Sequence, residues 1–385
     1  MSLTNLTTRL KERQARLSGG RRGFWVTWGL IVVVPLIVVP LLRQVNIINP
    51  YYNDVLVRMC ISIIMVVSLN LINGFLGQFS IGHAGFMAIG AYVAAILTTK
   101  PEFARFLVGP DWLRFLEATL VGASAAGILA YIIGIPAFRV RGDYLAVLTV
   151  AFNMIIVNIF TNMEYVGGPR GLIGVMHYTT FTSVWLWLVV TVVVVRNLIL
   201  SAHGRAIMSV RDNEVAAELG GVNTQKYKLM AFAVGSFFAG VGGTMIGHHV
   251  MFINPPMFNI FKSIDFLIML YLGGVGSITG SIAGAVIWTL LQEVLRPLLA
   301  LAHLEVWRLV VGPVILIVMM IWRSKGLFGG IEFGFLMPKL VHPADLAENT
   351  RRSSGPAENA EGSSDGGDTG RSTGEEKGAN DVSGA

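Results

Sequence analysis

The chain has 385 residues, of which 54% are hydrophobic and only 14% charged, and its mean hydropathy is +0.64. A soluble protein carries about 25% charged residues to keep its surface wet. Here the runs 24–42, 59–99, 118–138, 144–163, 171–195, 229–261 and 266–292 hold no Asp, Glu, Lys or Arg. Several meet or exceed the roughly 20 apolar residues that cross a bilayer core of about 30 Å. The chain is therefore expected to be all-α, a polytopic integral membrane protein surrounded by lipid. Other readings fall with the same arithmetic. A single cysteine, Cys60, excludes an internal disulfide framework and a multi-cysteine metal cluster. The sequence pI near 9.5 could suggest nucleic acid, but the basic residues sit between apolar spans rather than on one face. No G-x-x-x-x-G-K-[ST] phosphate loop occurs.

Residues 1–23 are a basic lead, with Arg9, Lys11, Arg13, Arg16, Arg21 and Arg22 against Glu12 alone. Basic residues beside a first span stay in the cytoplasm, and Trp25 and Trp28 suit the headgroup level. The first apolar run does not resemble a cleaved signal peptide, since it is long, carries Pro35 and Pro40, and lacks a small-residue cleavage site. The charge-free stretch 59–99 is about 60 Å of helix at 1.5 Å per residue, enough for two crossings. Gly74, Gly77, Gly82 and Gly85 break it in the middle. Two crossings also return the loop around Arg139 and Arg141 to the cytoplasm, as its basic residues require.

The run 144–163 then goes out and 164–182 lies outside. The run 183–200 comes back, and 201–228 is a long cytoplasmic loop. The next span, from Lys228 to about Val250, goes out again. The region 264–300 forms an in-and-out pair broken at Gly273, Gly274, Gly276 and Gly280. A last span, about 306–322, ends beside Arg323, Lys325 and Lys339. The expected total is about ten spans, within a range of 8–11, with both termini cytoplasmic. The domains are the lead 1–23, a membrane domain 24–330, and a cytoplasmic tail 331–385. From about Glu348 the tail is Gly, Ser, Asp, Glu and Asn, too polar to offset its ordering entropy, and is expected to be disordered.

The two glycine-broken regions, 69–97 and 269–295, share one outline: an apolar half, a Gly/Ser break, an apolar half. Interrupted segments in corresponding halves of a transporter can mark a translocation path. Small residues also simply let helices approach closely. The loop 201–228 is long for a connection, and its centre, Asp212 to Leu219, reads as a short helix. Asp212 is a possible N-cap, and Gly220 or Gly221 the terminator. Such a helix is a shape that another protein can grip, or else an amphipathic connector on the lipid surface.

This loop resembles the coupling segment of ABC importer permeases, E-A-A-x3-G. Ala216, Ala217 and Gly221 match; Val215 stands at the Glu position, with Glu214 one residue earlier. Three further stretches resemble the branched-chain amino acid permeases, closest to the LivM-type subunit: 69–86 (LNLINGFLGQFSIGHAGF), 141–146 (RGDYLA) followed by 167–172 (GGPRGL), and 272–277 (LGGVGS) with 322–327 (WRSKGL). The resemblance covers roughly 55–330. It implies a non-catalytic permease subunit that imports leucine, isoleucine or valine across a bacterial inner membrane. The implied partners are a second, different permease of LivH type, two cytoplasmic ATP-binding subunits, and a periplasmic solute-binding protein. No cofactor is bound by the chain itself, and no nucleic acid is involved. Arg205, Arg211, Glu214, Ala216, Ala217 and Gly221 are the candidates for coupling to the ATPase, with the two arginines facing its acidic residues. The candidates for the translocation path are Asn70, Gln78, Ser80, His83, Gly273, Gly274 and Gly276.

His83 is the one side chain within 59–99 that can carry charge near neutral pH and thus a functional suspect. The plainer alternative is a neutral imidazole bonded to backbone that the glycine break frees. Asn70, Asn73, Gln78 and Ser80 can serve that backbone too. Asp143 reads as an N-cap, His248 and His249 as interfacial, and Lys262/Asp265 and Glu293/Arg296 as local i,i+3 ion pairs. The Gly167-Gly168-Pro169 turn either touches a binding protein or is only a tight turn. The alternatives to this function are an ABC permease for urea or short amides, and an ATP-independent secondary transporter or channel.

Overall fold

The computed structural model describes residues 49–104, 109–139 and 144–301, with isolated positions at 35–36, 38–39, 313–314, 317–318, 321 and 326–327. The basic lead, the expected spans 24–42 and 306–322, the Asp143 cap and the tail lie largely or wholly outside the described residues.

Helix α1 runs Pro50–Asn70, with Pro50 in its first turn and Asn49 capping it by accepting from the Tyr51 N–H at 3.4 Å. It continues through a π-helical turn, Leu71–Phe75, where Leu76 N donates to Leu71 O at 3.1 Å. After an irregular stretch come α2 (His83–Thr99), α3 (Asp111–Ala137) and α4 (Tyr144–Asn162). Then follow α5 (Phe181–Leu200), α6 (Ala202–Asp212), α7 (Glu214–Leu219), α8 (Thr224–Val250), α9 (Ile260–Gly273) and α10 (Ile278–Leu301). Two short strands, β1 (Leu172–Ile173) and β2 (Phe252–Ile253), pair antiparallel. Seven segments among the described residues are long and apolar enough to cross a membrane, and α2 is a shorter apolar helix. Together they occupy the eight spans expected between residues 50 and 301.

Contacts sort the helix ends into two sets, one at each end of the helices. On the expected outer side His249 at the end of α8 meets Asp54 near the start of α1 at 2.5 Å. There too β1 pairs with β2, and Tyr51 bonds Glu293 on α10. On the expected inner side Arg211 of α6 reaches Gly74, and Glu214 of α7 meets Lys228 of α8. Glu293 and Arg296 approach to 3.9 Å, as their spacing predicts.

Helix α8 sits at the centre, packed against α3, α2 and α1. Its apolar residues run all round, the pattern of a helix enclosed by others. The approach is glycine-to-backbone. A Cβ on Gly90 of α2 would lie 2.1 Å from Gly240 O of α8, and one on Gly243 only 1.9 Å from Met87 O. Gly122 of α3 faces Gly90 O in the same crossing, where the Thr244 hydroxyl donates to Gly90 O at 3.1 Å. His248 corrects an expectation here: it is fully buried, bonded to Thr98 at 2.9 Å and to Thr244 O, rather than facing headgroups.

Candidate functional site

The loop between α5 and α8 is two helices rather than one. Ser201 caps α6 by accepting from Gly204 N at 3.3 Å, and Gly204 lies so close to Ile199 O that a Cβ would sit 2.1 Å from it. Helix α6 buries Ile207 and Val210 and leaves Arg205 exposed. The chain then breaks at Asn213 (φ −159, ψ 106), whose side chain accepts from Ala216 N at 3.0 Å. Asn213, not Asp212, is thus the cap of α7. Asp212 is the last residue of α6, and its carboxylate holds Arg211 at 2.9 Å.

Helix α7 ends where Val222 N donates to Ala217 O and Gly221 N to Glu218 O, each at 3.0 Å. This is a Schellman ending with Gly221 at the left-handed position (φ +82), so Gly221 is the terminator. No atom lies within 4 Å of a Cβ built on Gly221. Ala217 is buried and Ala216 exposed, while Val215 and Leu219 are 65% and 85% exposed. Glu214 turns back to its own chain, meeting the Lys228 ammonium at 2.6 Å; the Lys228 side chain is only 7% exposed. A cavity of about 490 Å³ opens beside them, lined among others by Phe138, Arg139, Glu218 and Gln225.

The first glycine break is held by its own asparagine, Asn73. The Asn73 amide accepts from Ser80 N at 3.1 Å and donates to Ser80 O at 3.3 Å, closing the stretch between the π turn and α2. Gln78 is half-buried, and its backbone N–H donates to Ile72 O at 3.0 Å. Ser80 is buried. His83, at the first position of α2, is buried and bonded through Nε2 to the Ser68 hydroxyl at 2.8 Å. Its partner is thus a side chain of α1, not backbone that the break frees. Beside it, Ala84 N donates to Ser263 on α9 and Ile81 N to Thr149 on α4.

Asn70 serves the other break. Fully buried in α1, it accepts from Gly276 N at 2.9 Å and donates to Ser277 O at 2.9 Å. Gly274 and Gly276 have φ of +127 and +79, which fit only glycine comfortably. Gly273 packs on the start of α10, its Cβ position 1.9 Å from Gly280 O. Leu327 N donates to Leu272 O at 2.9 Å, so the last residue of the 322–327 motif touches the same turn.

The structure therefore joins members of the two predicted groups. Arg211, from the coupling set, lies against Gly74 and Gly77 of the first break and near Gly276 of the second. Arg205, Ala216 and Gly221 are exposed, while His83 bonds Ser68 and Ser80 bonds Asn73 through its backbone. Sequence reasoning missed Asn213, Thr149, Ser263 and the buried Asn153. Asn153 carried a signal, being a polar residue inside an apolar run, and its Oδ1 lies 3.0 Å from a Cβ built on Gly85.

Seven candidate membrane spans among the described residues, two broken helices that meet, and a helical loop bonded to the first break make a multi-pass membrane protein. The chain belongs to the family described as the permease component of branched-chain amino acid transport systems, whose profile matches residues 51–319. It is similar to the high-affinity branched-chain amino acid transport system permease protein LivM of Escherichia coli K12, 30% identical over 309 residues covering 71% of this chain and 69% of that one. LivM of Salmonella typhimurium is 29% identical over the same shares. LivH of Escherichia coli K12 is 23% identical over 294 residues, covering 70% of this chain and 91% of that protein. No solved structure matches the chain.

Proposed function

We propose that this chain is the membrane-spanning permease subunit of a binding-protein-dependent ABC importer in a bacterial inner membrane. In this reading it carries leucine, isoleucine and valine inward, and partner subunits bind and hydrolyse the ATP. The observation that carries the reading is a family-matched chain whose cytoplasmic helix α7 ends in open space while Arg211 of α6 bonds the first broken span and lies near the second. One of the two ATP-binding subunits grips the exposed side of α7 around Val215, Ala216, Leu219 and Gly221, with Arg205 setting register by exposed charge. Glu214 holds the loop to α8 through Lys228, and Ala217 seats α7. When nucleotide closes the ATPase pair, α6 and α7 move as a rigid body, and access switches between outside and inside.

The path runs past the breaks, with Asn70, Gln78, Ser80, His83, Gly273, Gly274 and Gly276 at its inner end. Helix α4 supports a second, LivH-type permease beside it: only 22% of its span is buried within this chain, against 72% for α8. It also exposes Asn158, a polar group that is costly against lipid tails. A periplasmic binding protein delivers the solute at the outer loops, including the Gly167–Pro169 turn.

Uptake of radiolabelled leucine into proteoliposomes that hold the purified complex, with ATP inside and the binding protein outside, tests this. The expected uptake requires both. Uptake driven by an ion gradient without ATP contradicts the reading.

A further inference from the structure

We propose that Arg211 and Asn70 form a clasp that transmits movement of the cytoplasmic loop to both broken spans, so that Arg211 is a positioning residue inside this chain and not an ATPase contact. The inference rests on the importer reading above and deepens it.

The geometry is a chain of single side chains between three segments. Arg211 ends α6 with its head oriented by Asp212, through Nε at 3.0 Å and Nη2 at 2.9 Å. That leaves Nη1 directed at Gly74 O, 3.5 Å away, in the π turn. The aliphatic stem of Arg211 covers Gly77 so closely that a Cβ there would lie 2.5 Å from Arg211 Cγ, and Gly77 has φ +73. Gly74 in turn has no room for a side chain, since its Cβ would lie 1.9 Å from Asn70 Oδ1 and 2.5 Å from Gly276 N. Asn70 closes the chain on Gly276 and Ser277. A Cβ on Gly276 would sit 3.7 Å from Gly74 O and 3.8 Å from Arg211 Nη1, so one guanidinium nitrogen lies near both breaks.

The receiving elements are suited to two arrangements. The π turn at the end of α1 is a local irregularity of a kind frequent at functional sites, and glycines at positive φ absorb backbone change without a Cβ penalty. A shift of α6 would thus be delivered first to Gly74 and Gly77, then through Asn70 to the turn between α9 and α10. Arg211 is better suited than lysine because its planar fork holds Asp212 and a backbone carbonyl together.

The test uses the whole complex in proteoliposomes and reads leucine transported per ATP hydrolysed, at equal amounts of assembled complex. Arg211→Ala and Asn70→Ala are each expected to lower that ratio about tenfold. The double variant is expected to fall no further than the worse single variant, because both act in one chain of contacts. Arg211→Lys keeps a stem over Gly77 and a charge, and is expected to fall severalfold, so the idea is readable even if the alanine variants do not assemble. An unchanged ratio in Arg211→Lys and Arg211→Ala overturns the clasp, as does a double variant whose losses multiply. A wild-type complex whose uptake needs no ATP overturns the importer reading and the clasp with it, whereas a coupled wild type with unaltered variants overturns the clasp alone.

Discussion

The crossing of α2, α3 and α8 and the junction of the two breaks are both built from glycine, yet they differ in what meets it. At the crossing, Gly90, Gly240 and Gly243 face the backbone of continuous helices, and the fit leaves no alternative register. At the junction, Gly74, Gly77 and Gly276 face the side chains of Asn70 and Arg211, and several glycines hold positive φ. Glycine thus does two jobs in one membrane chain. Whether its neighbour is a helix backbone or a hydrogen-bonding side chain separates a fixed weld from a movable joint.

The largest expected effect breaks the weld. Gly243→Ala puts a methyl group 1.9 Å from Met87 O, where neither backbone can retreat. Overpacking of this kind costs about 3 kcal/mol or more, and the variant is expected to give little monodisperse protein in size-exclusion chromatography. At the joint, Asn70→Ala leaves a buried N–H and a carbonyl without their amide partner. An unpaired buried group costs about 1–3 kcal/mol, which thermal unfolding in detergent should show as a clear loss of stability in a protein that still inserts.

Outside both regions the effects shrink. Gly221→Ala is expected to cost about 1–2 kcal/mol because φ is +82, with no steric component from its own chain. A bulky Gly221→Leu should therefore insert normally but fail to retain the ATP-binding subunit on affinity purification; retention with normal uptake counts against α7 as the grip. Lys228→Met keeps the buried stem and removes a pair whose Glu214 partner is 42% exposed. It is expected to cost less than about 1 kcal/mol in the same unfolding assay.

The spans were legible because they rest on where charges fall, and apolar helices lie in those stretches from residue 50 to 301. The twofold crossing in 59–99 came from its length, its central glycines and the parity that the Arg139/Arg141 loop requires. What stayed hidden has local physical reasons. Asp212 and Asn213 are equally good caps, so sequence could not say where the loop helix breaks. The π turn at Leu71–Phe75 leaves no compositional mark. Asn70 meets Gly276 and Ser277 across more than 200 residues of chain, and no spacing rule connects them. Arg211 looked like a surface cation for a partner because nothing local shows that Asp212 turns it toward Gly74.

The most direct test of the central claim is mass spectrometry of the tagged protein, purified from its native membrane in mild detergent. The importer account predicts that an ATP-binding subunit and a second, different permease accompany it. A chain that emerges alone or as a homo-oligomer, under conditions that keep a control ABC complex intact, would contradict it.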